Sequence, residues 1–497
     1  MTDFRWRDFV SGLSGNSRGL PMFVGSDRAW LAEDVGTELD ALGARLGTCR
    51  VLGVLADNGP AWAMIDLAAQ DAGIAHLPLP GFFSPAQLRH AIEQAAADTI
   101  VTDQPERIGA LDLQFAITGA WQGLAWMRRV VPPAGLPAGT AKISFTSGST
   151  GAPKGVCLDA RGLRATAQAV CRRLRDLPLE RHLAVLPLSL LLENVAGLYA
   201  PLLRGMSVHL PALAELGWRG MAGFDAMTLD VAVRASRASS AILVPELLKA
   251  WTISLAGAEC RAPDRLRFVA VGGARVAPEL VRMARQRGIP AYQGYGLTEC
   301  GSVVTLNQPG DDAGSDDDVG RPLDHAKVRI EGNEVMVRTP AFLGYVGGAV
   351  NTDAEFPTGD LGEVDARGHL HLTGRRKHLL ITSYGRNLAP EWIEAALLAQ
   401  PAIVQALVVG DGRPAPAAIV VPAPWARVAD IDAALLAANQ TLPDYARVAH
   451  RLLVEPFTPA NGLATGNGRP VRSAIIDRHA ALIAALYSCE EAQDAVL

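Results

Sequence analysis

The chain has 497 residues, of which 49% are hydrophobic and 20% are charged, as expected of a soluble globular protein with about three or four domains or lobes. The formal net charge is −5, so the composition does not favour nucleic acid as a partner. No run of about eighteen apolar residues predicts a membrane span, and the first residues lack the pattern of a secretory signal, so we expect a cytoplasmic protein.

Apolar patterns along most of the chain alternate between strands and helices. Buried strands are predicted at 50–57, 183–188 and 268–273, each followed by a helical or apolar segment, at 61–72, 190–203 and 278–287. Strands that alternate with helices imply parallel sheets with crossover helices. Residues 326–338 differ, because their period-two alternation around a tight turn predicts a β-hairpin.

The last part of the chain predicts a second, smaller domain. After Arg375 come short strands and two helical patterns, at 391–398 and 429–439. We therefore predict an α/β protein with a large N-terminal domain, residues 1–375, made of layered α/β subdomains and a β-rich part. The small α+β C-terminal domain is predicted to cover residues 376–497.

One segment of the large domain is rich in aspartate. Aspartates occur at 311–312 and again at 316–318. No other residue type nearby supplies metal ligands, so we expect a solvated loop and not a metal site.

A loop of small residues carries the clearest chemical signal. Residues 143–155 read ISFTSGSTGAPKG, so that an apolar strand leads into hydroxyl residues and glycines and ends in one of five lysines. Glycines let backbone N–H groups approach a polyphosphate, and Lys154 adds positive charge. The pattern is not a Walker A loop, because Gly155 follows the lysine where Ser or Thr is required. A flexible linker fits the ordered Pro-Lys-Gly ending poorly. The predicted phosphate contacts are Thr146, Ser147, Gly148, Ser149, Thr150, Gly151 and Lys154.

Two later turns match a nucleotide site. Residues 295–299 read YGLTE, and the carboxylate of Glu299 could hold the Mg²⁺ ion of ATP beside a phosphate loop. Residues 358–362 read TGDLG, and Asp360 could accept hydrogen bonds from ribose hydroxyls. Either segment alone would be an ordinary glycine turn, but their order behind the phosphate loop makes the combination specific.

Taken together, these segments resemble the adenylate-forming acyl-CoA synthetases and their relatives, the peptide-synthetase adenylation domains and luciferases. The resemblance runs from residues 58–62 to Arg472, almost the whole chain. It implies an enzyme with a mobile C-terminal domain and a reaction in two steps. A carboxylate first attacks the α-phosphate of Mg·ATP, and a thiol then takes the acyl group from the acyl-adenylate. The thiol belongs to CoA or to the phosphopantetheine of an acyl carrier protein.

The resemblance also assigns roles to residues of this chain. Tyr295, followed by Gly296, is expected to stack on adenine, Thr298 to contact phosphate and Glu299 to bind Mg²⁺. The other implied roles are adenine and acyl pocket lining by Gly273 and Ala274, ribose binding by Asp360 and Arg375, a hinge at Lys377 and a pantetheine tunnel at Gly385.

One catalytic position departs from the family pattern. The family's last motif carries a lysine that bridges the substrate carboxylate and the α-phosphate, and Arg469 falls at that position. No lysine follows Lys377, so no neighbour can substitute. Arginine keeps the charge but has a different shape. Three interpretations stay open: Arg469 performs the role, adenylation is slow, or the chain no longer adenylates.

The segment that corresponds to the family's acyl pocket departs from the family pattern as well. Residues 186–194 resemble the long-chain subgroup, but Leu190 stands where a histidine is common. No aspartate is available to pair a substrate ammonium, and Glu193 is interpreted as structural. We therefore expect a fatty or aryl acid without an α-amine. The alternatives are an amide or lactone synthetase, or a non-catalytic protein that binds acyl groups or nucleotides.

Overall fold

The computed structural model describes residues 4–13, 20–146, 153–219, 223–311, 316–352, 355–466 and 468–494. The helices are α1 (Trp6–Leu13), α2 (Ala32–Leu46), α3 (Pro60–Asp71), α4 (Pro85–Gln94), α5 (Pro105–Gly109), α6 (Ala160–Arg173), the π-helical segment (Glu193–Tyr199), α7 (Ala200–Leu203), α8 (Ala226–Ser236), α9 (Pro245–Gly257), α10 (Pro278–Gln286), α11 (Pro390–Leu398), α12 (Val428–Gln440) and α13 (Arg472–Asp494). Within the described residues, none of these helices is long and apolar enough to cross a membrane.

The strands are β1 (Phe23–Val24), β2 (Ala29–Trp30), β3 (Val51–Leu55), β4 (Ala75–Pro78), β5 (Thr99–Thr102), β6 (Ala116–Trp121), β7 (Leu124–Arg128), β8 (Thr140–Thr146), β9 (Lys154–Asp159), β10 (Arg181–Leu183), β11 (Ser207–His209), β12 (Ser240–Leu243), β13 (Phe268–Val271), β14 (Ala291–Tyr295), β15 (Thr305–Leu306), β16 (Arg321–Pro322), β17 (Lys327–Glu331), β18 (Glu334–Arg338), β19 (Phe342–Tyr345), β20 (Phe356–Val364), β21 (Leu370–Arg375), β22 (Leu380–Ile381), β23 (Asn387–Leu388), β24 (Ile403–Val409), β25 (Ala417–Pro422) and β26 (His450–Leu453).

Two large sheets form the first part of the large domain. One has the strand order β19-β9-β8-β4-β3-β5-β7-β6 and the other the order β16-β15-β14-β13-β12-β10-β11-β1-β2. Strands β10 to β14 pair in parallel, as do β3, β4 and β5. Every position of β3 is buried, which is why its sequence is continuously apolar. The predicted alternation of strands and helices is confirmed at β3, α3, β13 and α10.

The strand predicted at 183–188 is wrong in extent, because β10 covers only the first of these residues. Beyond it the backbone leaves the sheet and its N–H groups bind side chains. The N–H of Leu186 donates to Glu193 Oε2 over 3.0 Å, and the N–H of Leu188 donates to Asn58 Oδ1 over 2.8 Å. The apolar pattern of the segment therefore reflects a buried loop and not a longer strand.

The β-rich part and the small domain follow the predicted order. Strands β17 and β18 form the expected hairpin, and the sheet continues through β20 and β21. After β21, strands β24, β25 and β26 form a sheet that packs with α11, α12 and α13. The α/β fold with a large and a small domain is thus confirmed.

The expectation of a solvated acidic loop is wrong for Asp318, whereas Asp317 is exposed as expected. Asp318 is only 4% exposed, and it is hydrogen-bonded to the ring of His369 (2.9 Å) and the N–H of Gly320 (2.8 Å). Asp316 binds Arg285 of α10 over 2.5 Å. These carboxylates hold the segment against neighbouring elements, because their partners His369 and Arg285 are distant in sequence.

A cluster of charged and polar side chains is buried behind the π-helical segment. Lys142 Nζ donates to Asp66 Oδ1 (2.8 Å), to the Tyr199 hydroxyl (2.8 Å) and to the side-chain oxygen of Asn194. The carboxylate of Asp66 also binds Asn194 Nδ2 (2.8 Å), the Tyr199 hydroxyl (2.5 Å) and the ring of His76 (2.5 Å). All five side chains are at most 1% exposed. The cluster joins the π-helical segment to α3, β4 and β8.

The charges in this cluster depend on one another. Burial raises the pKa of a carboxyl group, but the Lys142 ammonium and the His76 ring hold the pKa of Asp66 well below its usual range. The carboxylate therefore stays ionised inside the protein only while its cation is present.

Replacing Lys142 with methionine is expected to destabilise the large domain by about 3–5 kcal/mol, because the Asp66 carboxylate is left buried without its cation. The urea midpoint of the corresponding unfolding transition measures the loss. The double variant Asp66→Asn, Lys142→Met should recover part of it, since both charges are then gone. Lys327 is exposed, so Lys327→Met is the matched control. A Lys142→Met protein with an unchanged midpoint would contradict the account.

Candidate active site

A large cleft of about 2080 Å³ opens at the carboxyl ends of the parallel strands β13 and β14. It is bordered by the β8–β9 ladder, by β20 and β21, and by a loop of the small domain. Ligands of open α/β sheets bind at this end of the strands. The cleft exceeds the volume of about 300–1,000 Å³ typical of one small ligand, so it has room for more than one.

The phosphate loop predicted at 143–155 begins and ends in this cleft. Thr146 at the end of β8 pairs with Lys154 at the start of β9, and both line the cleft. Lys154 Nζ lies 5.7 Å from the centre of the Tyr345 ring. The intervening candidates lie outside the described residues: Ser147, Gly148, Ser149, Thr150 and Gly151.

The predicted adenine and ribose residues form one hydrogen-bonded unit. The Tyr295 hydroxyl donates to Asp360 Oδ2 and Arg375 Nε donates to Asp360 Oδ1, both over 2.7 Å. Asp360 and Arg375 are direct partners in the β20–β21 register. A carboxylate has about four lone-pair sites, so Asp360 keeps the capacity to accept further hydroxyl donors.

The turn that follows β14 brings Thr298 and Glu299 to the cleft. It requires glycine at position 296, because a Cβ atom there would lie 1.6 Å from the carbonyl oxygen of Ser302. The Tyr345 hydroxyl donates to Glu299 Oε1 over 3.1 Å. Burial and the Glu299 carboxylate raise the pKa of Tyr345 well above its ordinary value, so its hydroxyl remains a donor.

The donor set fits a magnesium ion that arrives with a nucleotide. The described residues contain no group of three acidic, histidine or cysteine side chains that could hold a metal ion by themselves. Mg²⁺ usually takes one or two carboxylates together with phosphate oxygens and water. Glu299, which lines the cleft as Lys154 does, would supply such a carboxylate.

Sequence reasoning missed Tyr345, which contacts both Lys154 and Glu299. It stands at the end of β19, which pairs antiparallel with β9. No motif surrounds it, and its position follows only from this pairing of distant strands.

Arg469 enters the cleft from the small domain. Its Nη2 donates to the carbonyl oxygen of Gly273 over 2.7 Å, at the end of β13 where Gly273 and Ala274 line the cleft. The loop that carries it is closed by Thr465, whose N–H donates to the Arg469 carbonyl over 2.8 Å. Gly466 lies so close to Phe82 of the large domain that a Cβ atom would be 2.6 Å from its carbonyl oxygen.

Of the two remaining candidates, the hinge residue Lys377 lines the cleft, whereas the tunnel residue Gly385 lies apart from it. Lys377 is exposed in a 3₁₀ turn after β21, next to Arg376, which binds Glu334 Oε2 over 2.6 Å. Glu334 Oε1 accepts from the N–H of Gly359 over 2.9 Å, so it connects the turn before Asp360 to the hinge. Gly385, with φ of +73°, is exposed in the β22–β23 turn and does not line the cleft.

One side of the cleft is lined by apolar side chains. Leu190 and Val303 line it. Glu193 is fully buried, with Oε1 bonded to the His182 ring over 2.9 Å, so it is not available to a substrate ammonium. Sequence reasoning missed further lining residues from α6, α7 and the segment before β11: Val170, Leu174, Ala200, Pro201 and Met206.

Two models of known protein families match the chain. The family model described as AMP-binding enzyme matches residues 31–347, and that of the AMP-binding enzyme C-terminal domain matches residues 377–491. The chain therefore belongs to the family of AMP-binding, adenylate-forming enzymes, and the predicted resemblance is confirmed.

Individual relatives cover most of its length. A long-chain-fatty-acid–CoA ligase of Mycobacterium bovis is 28% identical, with 86% of each chain covered. The o-succinylbenzoate CoA synthetase of Bacillus subtilis, solved with its acyl-adenylate intermediate, has a TM-score of 0.75 at 19% identity and covers 94% of this chain and 97% of its own. An amide bond synthetase from Marinactinospora thermotolerans has a TM-score of 0.73 at 23% identity, covering 94% and 99%. The two structures show the shared fold.

Proposed function

We propose that this protein is an AMP-forming acid–thiol ligase: it activates a fatty or aryl carboxylic acid with Mg·ATP and transfers the acyl group to CoA. The observation that carries the proposal is the meeting of Lys154, Glu299, Asp360 and Arg469 in one cleft with an apolar extension. The CoA-ligase names of two of the relatives support the choice of acceptor. CoA would then be the second substrate and not a cofactor.

In the first half-reaction a carboxylate oxygen of the acid attacks the α-phosphorus of ATP, and the bond to pyrophosphate breaks. Such phosphorus chemistry depends mainly on positioning and on neutralising charge. The guanidinium of Arg469 would face the reacting phosphate, and Lys154 would bind the outer phosphates. Asp360 and Tyr295 would orient the nucleoside. A magnesium ion held by Glu299 and the phosphates would supply further positive charge.

In the second half-reaction the sulfur of CoA attacks the acyl carbonyl carbon, the thiol proton is lost, and AMP leaves. Gly385 is exposed away from the cleft. The small domain would therefore reorient about the hinge at Lys377 before the tunnel residue can reach the acyl-adenylate.

The acid class follows from the groups that face the cleft. Leu190 offers no hydrogen-bond acceptor for an α-ammonium, and the carboxylate of Glu193 is already bound. Neither of these two residues would therefore replace the hydration that an α-ammonium loses. The apolar lining favours an aliphatic or aryl chain.

Pyrophosphate release from Mg·ATP, measured across fatty, aryl and α-amino acids with and without CoA, tests the proposal. We expect release with fatty or aryl acids and an acyl-CoA product in the mass spectrum. Release without acyl-CoA would point to a carrier-protein phosphopantetheine, an amine or a hydroxyl as acceptor. Release with α-amino acids alone would contradict the proposed acid class. ATP binding without release for any acid would favour a non-catalytic protein.

A further inference from the structure

A lysine of the large domain contacts the small domain directly. Lys249 lies on α9, and its Nζ donates to the carbonyl oxygens of Gln400 (2.7 Å) and Ile403 (2.6 Å). Gln400 follows the carboxyl end of α11, where the helix dipole favours a positive charge, and Ile403 begins β24. Burial lowers the pKa of Lys249 to about 8 despite the opposing effect of Glu246, so the ammonium has given up water for these two carbonyls.

The same helix also meets the catalytic candidate of the small domain. Glu246, one turn before Lys249, lines the cleft and is a charged neighbour of Arg469. Behind this turn, Ala395 of α11 shares a buried cluster with Trp251 of α9. Helix α9 is therefore one of the surfaces that the small domain contacts while Arg469 reaches the cleft.

We propose that Lys249 is a positioning residue for adenylation: by holding Gln400 and Ile403 it seats the small domain so that Arg469 reaches the carbonyl of Gly273. It acts through Arg469 and touches no reacting atom. The proposal rests on the proposed function for its first half-reaction. Because the thiol-transfer step requires another orientation of the small domain, Lys249 contributes to the first step and not to the second.

Lys249→Met keeps most of the length of the side chain and removes its donors, and Lys249→Gln is a second variant in case the first does not fold. We expect acid-dependent ATP–pyrophosphate exchange to fall about tenfold or more, the factor associated with hydrogen bonds to a charged group. Thioester formation from supplied acyl-adenylate and CoA should stay within about twofold of the native rate. Lys327→Met, on exposed β17, is the control and should change neither.

A second measurement does not depend on turnover. The hinge contains three trypsin sites in a row, at 375–377. Looser seating of the small domain should speed cleavage there in Lys249→Met but not in Lys327→Met. Equal losses in both half-reactions, or unchanged exchange together with unchanged cleavage, would overturn the proposal. If none of the acids supports pyrophosphate exchange by the native protein, the proposed function fails. The cleavage comparison still tests Lys249 in that case.

Discussion

Glu299→Gln is expected to lower acid-dependent ATP–pyrophosphate exchange by about 10²–10³-fold or more. The amide keeps an oxygen that can accept from the Tyr345 hydroxyl, so the local structure is preserved and the carboxylate charge is lost. The carboxylate would hold the magnesium ion against the phosphates, and losing a preorganised group that stabilises the negative charge of the transition state has an effect of this size. Exchange rates measured across a magnesium titration should show a higher magnesium requirement in the variant.

Glu363→Gln is the matched control, because Glu363 is exposed on β20, the strand that carries Asp360. It should exchange pyrophosphate at the native rate. If Glu299→Gln turned over as fast as this control, the assignment of Glu299 to magnesium would be wrong.

Arg469→Ala is expected to slow adenylation by about 10²–10³-fold, because it removes one preorganised cation from the reacting phosphate. Thioester formation from supplied acyl-adenylate should be nearly unchanged, since Arg469 is assigned to the first step only. Single-turnover rates of the two half-reactions measure the difference.

Arg469→Lys separates the interpretations that the sequence left open. A rate equal to or above the native one would show that arginine is tolerated at a position suited to a compact ammonium. Arg478→Ala, at an exposed position of α13, is the surface control. Equal losses in both half-reactions of Arg469→Ala would remove the role proposed for this loop.

Much of the candidate site was predictable because its chemistry is local. A phosphate loop needs adjacent glycines, hydroxyls and a lysine, and residues 143–155 supply them within one stretch. The turns at 295–299 and 358–362 carry their functional side chains within five residues each. The resemblance of these segments to one family then predicted the role of each segment in the site. The match to the family model confirms that the chain belongs to this family.

The limits of the fold prediction have a physical cause. Apolar residues mark burial, but they do not show whether a backbone N–H binds a strand or a side chain. The apolar segment after β10 therefore predicts a strand, although the N–H of Leu186 binds Glu193. In the same way the charge of Asp318 suggested solvent, yet the ring of His369 accounts for its burial.

The sequence alone determined the family, the α/β class, the small second domain and the phosphate, ribose and metal candidates, because each depends on neighbouring residues or on a short periodic pattern. Only the tertiary structure decided which of them meet. Tyr345 reaches Glu299 through the pairing of β19 with β9, and Arg469 reaches Gly273 across the domain boundary. The role inferred for Lys249 also depends on partners about 150 residues away, and such contacts leave no local pattern in a chain.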